Sequence, residues 1–150
     1  MSGSSTTVEV VTDVTDELVS AIAALLPQLS SATPPDFDDL VQLVGHEAST
    51  LLAAYGLDRT LLGTLTLVTF PLPTGITAWI EDVVVDETAR GLGVGSSLVD
   101  EAVRLARLQG AKAVNLTSRP SREAANRLYV RLGFERRETN VYRRGLNDLD

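Results

Sequence analysis

The sequence predicts one α/β domain built on a mixed sheet, and three observations carry that prediction. Short β-branched runs alternate with stretches whose apolar residues recur at helical spacing. Three consecutive strand-like runs in the middle have helical stretches on either side. A glycine-rich loop joins the last of those strands to a helix. With 150 residues, 44% of them hydrophobic, the chain is long enough to bury one core. Its opening residues are small and polar, so a frayed tail over residues 1–6 and one domain over 7–150 are expected.

The elements follow in order. Residues 8–11 form a β-branched run, after which Asp13 or Thr15 can cap a helix with Leu18, Ala21, Ile22, Leu25 and Leu26 on one face. The stretch 30–35 ends in two prolines and cannot continue that helix. Asp36, Asp38 and Asp39 then place negative charge in the first turn of a second helix, ending near Gly45. Residues 50–55 and 60–70 read as strands joined by Gly56-Leu57-Asp58-Arg59, a hairpin composition. A turn over 71–75 leads into a third strand, 76–85, so the middle of the chain is an antiparallel meander.

Past the glycine loop, Val94, Leu98, Ala102, Leu105 and Ala106 mark a buried helix face, and Gly110 is its stop. A short strand over 113–117 follows. Ser121 is the expected cap of a last helix carrying Ala125, Leu128, Tyr129 and Leu132, which Gly133 ends before a strand-like tail through Val141 and Tyr142. The predicted order is β-α-α-β-β-β-α-β-α-β.

Composition removes several classes of function. There is no cysteine and only one histidine, His46, which excludes disulfides, thiolate zinc sites, haem attachment and cysteine-based catalysis. A net charge of -7 offers no basic stripe for a phosphate backbone, so nucleic acid is not an expected partner. No apolar run approaches the roughly 20 residues of a bilayer span, and the first residues lack the basic flank and apolar stretch of a signal peptide. No membrane association and a cytoplasmic location are the expectation.

The chemistry concentrates in Arg90-Gly91-Leu92-Gly93-Val94-Gly95, with Ser96 following. A loop that leaves a strand and opens a helix can aim backbone N–H groups and the helix N-terminus at an anion. Glycines let the backbone approach a phosphate, and Arg90 adds a charge-assisted donor. A dinucleotide loop needs glycine where Ser96 stands and an acid at the end of the next strand, and residues 111–117 contain none. A Walker A loop needs a lysine before Ser96, where Gly95 stands. A bare tight turn is the remaining structural alternative.

Arg90-x-x-Gly93-x-Gly95 after an apolar strand resembles the cofactor loop of the GNAT superfamily of acetyl-CoA-dependent N-acetyltransferases. The stretch from Ser121 to Phe134, with Leu128-Tyr129-x-x-x-Gly133-Phe134, is similar to a second motif of that superfamily. The resemblance covers residues 7–144 and includes the order of elements. It implies acetyl-CoA as co-substrate, held by Arg90, Gly91, Leu92, Gly93, Val94, Gly95 and Ser96. It also implies backbone contacts from Val83, Val84 and Val85 to the pantetheine arm. Where many members carry an asparagine seven residues before the tyrosine, this chain has Arg122. That arginine can meet a phosphate, a substrate carboxylate or solvent, and Asn126 is out of register for the cofactor.

Acetyl transfer to an amine requires a neutral nucleophile, a polarised thioester carbonyl and a protonated leaving thiolate. Glu81 and Asp82 interrupt an apolar strand where carboxylates are depleted, and adjacent strand residues face opposite ways unless a bulge intervenes. The pair is similar to an Ile-Glu-Asp stretch of glucosamine-phosphate acetyltransferases. That likeness implies Glu81 as general base through a water and Asp82 as a substrate carboxylate, the alternative for each being an ion pair with an arginine. Tyr129 resembles the family's general acid, and helical spacing alone would make it a core residue. His46 reads as a surface residue. Trp79 shares the strand parity of Glu81 and reads as core or pocket wall.

The resulting expectation is an N-acetyltransferase acting on a primary amine of a small molecule or peptide. The competing reading is a non-catalytic module that holds coenzyme A or an acyl-CoA. The acceptor and the acyl chain length stay open, and an edge strand near the C-terminus could pair two copies into a homodimer.

Overall fold

The computed structural model describes residues 6–146, and the chain divides into two compact units, one ending at Thr117 and one beginning at Ser118. Of the expected N-terminal tail, only Thr6 falls within the described residues. The first unit runs β1 (Thr7–Val10), α1 (Asp16–Leu25), α2 (Phe37–Gly45), β2 (Ser49–Tyr55), β3 (Leu61–Leu72), β4 (Gly75–Val85), α3 (Val94–Leu108) and β5 (Val114–Asn115). Its strands form one sheet in the order β1-β2-β3-β4-β5, antiparallel except for the parallel β4–β5 pair. The α/β class with a mixed sheet is the one the sequence predicts.

Short-range chemistry sets the helix ends. Of the two candidate caps for α1 it is Thr15 that serves, its hydroxyl accepting the Leu18 amide at 3.1 Å. Asp36 and Asp39 exchange side-chain to backbone bonds of 2.8 and 3.0 Å, a capping box that starts α2. Gly110, at φ +85, ends α3, and the amides of Gly110 and Ala111 return to the carbonyls of Arg107 and Ala106.

Strand alternation sorts the core into two faces. Leu51, Ala53 and Val84 pack with Leu18, Ile22, Leu25 and Leu40 of α1 and α2. By register, Leu52, Leu65, Leu67 and Ile80 lie on the other face, where α3 buries Val94, Leu98, Val99, Ala102 and Ala106. Each such leucine or valine contributes about 1.5–3 kcal/mol by leaving water.

Two bulges reset the alternation. Leu62 is the extra residue between the pairs Ala54↔Gly63 and Tyr55↔Leu61. In β4, Asp82 and Val83 together oppose Leu65, between the pairs Thr66↔Glu81 and Thr64↔Val84. Asp82 adopts φ +50, a left-handed conformation that aspartate tolerates better than a β-branched residue does. Gly63 permits this arrangement, since a methyl group there would stand 2.8 Å from the Val84 carbonyl oxygen.

The second unit carries α4 (Glu123–Arg131). Gly133, at φ +97, ends it, with the Gly133 amide on the Val130 carbonyl and the Phe134 amide on the Tyr129 carbonyl, both at 3.0 Å. The Phe134 ring meets Tyr129 edge-on, with centroids 6.0 Å apart, the apolar contact that accompanies this type of helix end.

Two expectations are corrected here. Ser121 does not cap α4. The helix opens on Arg122 without a side-chain cap, and the Asn126 amide instead donates to the carbonyls of Arg119 and Arg122 at 2.9 and 2.7 Å. The strand expected through Val141 and Tyr142 does not form, and both side chains are exposed. Strand propensity is realised only against a partner edge and a buried face. Arg136, Arg137, Arg143 and Arg144 crowd that run with charge and give it no apolar face. No helix among the described residues is long and apolar enough to cross a membrane.

Candidate active site

β5 is shorter than the expected 113–117 and pairs with β4 only at Ala78↔Val114 and Trp79↔Asn115. From Ile80 to Val85 the outer edge of β4 therefore has no strand partner among the described residues. The Asn115 side chain closes the fork, its Nδ2 donating to Thr77 Oγ1 and the Ala78 carbonyl at 3.3 Å each. An unpaired strand edge is a template for an extended ligand. Val83, Val84 and Val85 lie on that edge.

β4 leads into Asp86 and a 3-10 turn, Glu87–Ala89, that delivers the chain to Arg90. The Asp86 carboxylate accepts the Thr88 hydroxyl at 2.7 Å and the Thr88 amide at 2.9 Å. Those two bonds, with smaller help from Gln28 and from the charge of Arg90, hold the Asp86 carboxyl below the usual carboxylate range. Gly91 and Gly93 follow at φ +84 and +82, and a methyl group on either would meet nothing within 4 Å. The backbone conformation, not crowding, demands glycine there, and the approach to the loop stays open.

Gly93 is also the N-cap of α3 and supplies no side chain to it. The first bond of the helix runs from the Ser97 amide to the Gly93 carbonyl at 3.0 Å. The amides of Val94, Gly95 and Ser96 thus have no partner among the described residues. Three free donors at the positive end of a helix, with the exposed Arg90 shortly before them in the chain, have the chemistry that suits an anion. The Leu92 amide is already used, by the Ala89 carbonyl at 3.3 Å, and the Leu92 side chain is exposed.

The acids on β4 sit at the bulge. Glu81 pairs with Thr66 as Val84 pairs with Thr64, so Glu81 lies on the α1–α2 face of the sheet. Asp82 occupies the left-handed bulge position, and both carboxylates are exposed. The bulge named above as the exception to strict alternation is what the chain uses. Half-buried Trp79 shares the Glu81 face.

In the second unit, burial raises the Tyr129 phenol above its ordinary value while the positive charge of Arg122 pulls it back. The phenol is therefore protonated at neutral pH. The carbonyl and ring of Tyr129 serve the helix end, which leaves its hydroxyl for other work. Arg122 is exposed and near enough to act on that phenol. His46 is exposed and accepts the Ala48 amide on Nδ1 at 3.1 Å, a turn contact. It borders a separate hollow of about 560 Å³ with Asp13, Val41 and Val44 that contains none of the motif residues.

Sequence reasoning missed three contributors: the Asp86–Thr88 clasp, Asn115 at the fork, and Gln28, whose Oε1 accepts the Glu87 amide at 2.9 Å. Asp86-x-Thr88 is a readable side-chain turn signal. Gln28 carries none, because its partner lies 59 residues away.

The Acetyltransferase (GNAT) family matches residues 17–134, and the chain belongs to that family. Over 61 residues it is 36% identical to an uncharacterized N-acetyltransferase of Methanocaldococcus jannaschii, covering 41% of this chain and only 27% of that protein. Among solved structures, an acetyltransferase of Trypanosoma brucei superposes with a TM-score of 0.77 at 24% identity, over 93% of this chain and 99% of the other. A glucosamine-6-phosphate N-acetyltransferase of Arabidopsis thaliana gives 0.79 at 16%, over 93% and 97%. An aminoglycoside acetyltransferase from an uncultured soil metagenomic sample, in complex with sisomicin, gives 0.81 at 16%, over 94% and 95%. At these identities the structural likeness is one of fold.

Proposed function

We propose that the chain is an N-acetyltransferase that moves the acetyl group of acetyl-CoA to a primary amine of a small molecule or peptide by direct attack. The open outer edge of β4, running from Ile80 to Val85 toward three unpaired amides at the start of α3, is the observation that carries this reading. The pyrophosphate binds residues 90–96, with Arg90 as counter-charge, and the backbone of Val83, Val84 and Val85 pairs with the pantetheine arm. A backbone N–H on that edge polarises the thioester oxygen.

Glu81 takes the amine proton through a water, and Asp82 binds the acceptor. Tyr129 gives a proton to the departing thiolate, a role that rests on its motif position and on a phenol that burial keeps protonated. Charge distribution supports the assignment of partners. Of the 13 lysines and arginines only Arg59 precedes Arg90, and it is held by Glu9 at 2.6 Å, while most of the 20 acids lie in that first part of the chain. The part that would receive the acceptor, on α1, α2 and β4, therefore favours a cationic amine, and the part that starts at Arg90 an anionic cofactor.

Calorimetric titration with acetyl-CoA and CoA, followed by thiol release across monoamines, polyamines, amino acids and peptide N-termini, tests the proposal. Saturable binding and amine-dependent thiol release are expected. No binding would remove the reading altogether, and binding without release from any amine would reduce the chain to a coenzyme-holding module. The same reading leaves the chain in the cytoplasm as a monomer or homodimer, which ultracentrifugation resolves.

A further inference from the structure

Gln28 stands outside every motif above, yet it joins two parts of the proposed site. α1 ends at Leu25 and passes into a 3-10 turn, Leu26–Gln28, started by Pro27. The amides of Leu29 and Ser30 both close on the Leu26 carbonyl, at 2.8 and 3.0 Å, and Leu26 and Leu29 pack against the core. The root of Gln28 is thereby fixed. Its exposed side chain reaches the segment after β4, where Oε1 accepts the Glu87 amide at 2.9 Å. The same side chain lies near the Asp86 carboxylate and gives a small share of what holds that carboxyl below its usual range.

The segment it holds is a relay of local turns: Ala89 N–H to the Asp86 carbonyl at 2.8 Å, Arg90 N–H to Glu87 at 3.4 Å, Leu92 N–H to Ala89 at 3.3 Å. The last two are long for N–H···O bonds, so the run depends on anchors from elsewhere. Among the described residues those anchors are the Leu62 carbonyl, which accepts the Asp86 amide at 2.8 Å, and Gln28. One anchor belongs to the sheet. The other belongs to the α1–α2 connection, which borders the acceptor side.

We infer that Gln28 is a positioning residue that couples the α1–α2 connection, residues 26–36, to the cofactor loop, so that coenzyme A binding at residues 90–96 also orders the acceptor side. The inference rests on the coenzyme reading above. A ligand that fixes Arg90 fixes Glu87 through their shared bond. Glu87 in turn holds Gln28, and Gln28 belongs to the connection. By linkage, an acceptor that orders 26–36 strengthens coenzyme binding by the same factor.

Hydrogen exchange with CoA as the probe reads this directly. In the wild-type protein, CoA should slow exchange at Val94, Gly95 and Ser96 and, without touching them, at Leu29 and Ser30. Gln28→Ala, and Gln28→Asn, which keeps the amide but shortens its reach by one methylene, should keep the loop protection and lose the protection at residues 29 and 30. The melting temperature should be unchanged, and CoA affinity should fall by a few-fold, the loss of one exposed hydrogen bond. Equal protection at 29 and 30 in wild type and Gln28→Ala would overturn the coupling, as would its absence in the wild type while the loop is protected. If calorimetry shows no CoA binding by the wild type, the coenzyme reading itself fails, and the two failures are told apart by that measurement.

Discussion

Gly63→Ala tests how the sheet builds the ligand edge. Gly63 pairs with Ala54 on one side and Val85 on the other, beneath the start of α3. A methyl group there stands 2.8 Å from the Val84 carbonyl oxygen, 3.2 Å from Leu98 Cδ1 and 3.3 Å from Val94 Cγ1. The two side chains can give by a few tenths of an ångström. The carbonyl cannot, because it moves only if β4 moves, at the residues just past the bulge. Overpacking of this kind costs about 1–3 kcal/mol, and replacing glycine returns about 0.4–1 kcal/mol through the unfolded chain. The net expectation is a loss of about 1–2 kcal/mol, or roughly 3–6 °C for a chain of this size. Urea and thermal melts measure that loss, and CoA titration should show weaker binding, since Val84, Val85 and Val94 all shift. A variant as stable as the parent would refute the steric argument. A destabilised variant with unchanged CoA affinity would refute the placement of the pantetheine edge.

Four further outcomes follow from the same geometry. Gly93→Ala meets no atom but must hold φ +82, so it should cost about 1 kcal/mol of stability, with CoA affinity falling about tenfold; unchanged affinity would remove the anion site. Tyr129→Phe keeps the ring contact with Phe134, so melting and CoA affinity should hold while turnover falls by about 10²-fold or more, and parallel loss of both would mean a packing role. Asp82→Asn suits the left-handed bulge and should leave the melt unchanged while raising KM for a cationic amine, whereas Asp82→Val should destabilise; an unchanged KM for Asp82→Asn would end its acceptor role. Glu9, Asp58, Asp86 and Glu101 are held below their ordinary range, mainly by Arg59, Thr60, Thr88 and Arg104. The unfolded chain therefore binds protons first. The stability these groups add is present above about pH 4.5 and lost as pH falls through their lowered values, so calorimetric melting temperatures should drop as the pH is taken below about 4.5. A flat profile there would contradict the assignment.

What the sequence revealed is what short-range rules govern. Gly91, Gly93, Gly110 and Gly133 all adopt positive φ, and a glycine between a strand and a helix, or after a helical stripe, is legible without tertiary knowledge. The Thr15 cap is legible for the same reason, whereas Asp36, expected as a first-turn charge, stands one place earlier as the cap of α2. The bulge at Asp82 and Val83 is not, because Gly63, 19 positions earlier and on another strand, is what admits it. The two-residue length of β5 escaped as well, since only pairing decides where a strand stops. The tail through Val141 and Tyr142 failed in the opposite sense, with propensity present and no pairing. Leu128-Tyr129-x-x-x-Gly133-Phe134 is instructive: its glycine and phenylalanine are explained entirely by ending a helix, and only the tyrosine hydroxyl is left for function.

The two irregularities of β4 act toward one end. A strand flanked by β3 and β5 would normally have both edges satisfied and could accept no ligand. β5 withdraws after two pairs, which frees the outer edge from Ile80 onward. A free edge alone would still present Val84 on the wrong face, since Ala78 and Ile80 share the α3 side and strict alternation would send residue 84 there too. The bulge inverts that parity, so Val84 drops into the α1–α2 core and anchors the freed segment, while Val85 turns to the α3 side beside Gly63. The same extra residue keeps Asp82 off the α3 side, where strict alternation would send it, and so avoids the several kcal/mol that an unpaired buried charge would cost. One inserted residue thus turns Val84 into the core and holds Asp82 out of it, along the edge that the proposed reading gives to the coenzyme.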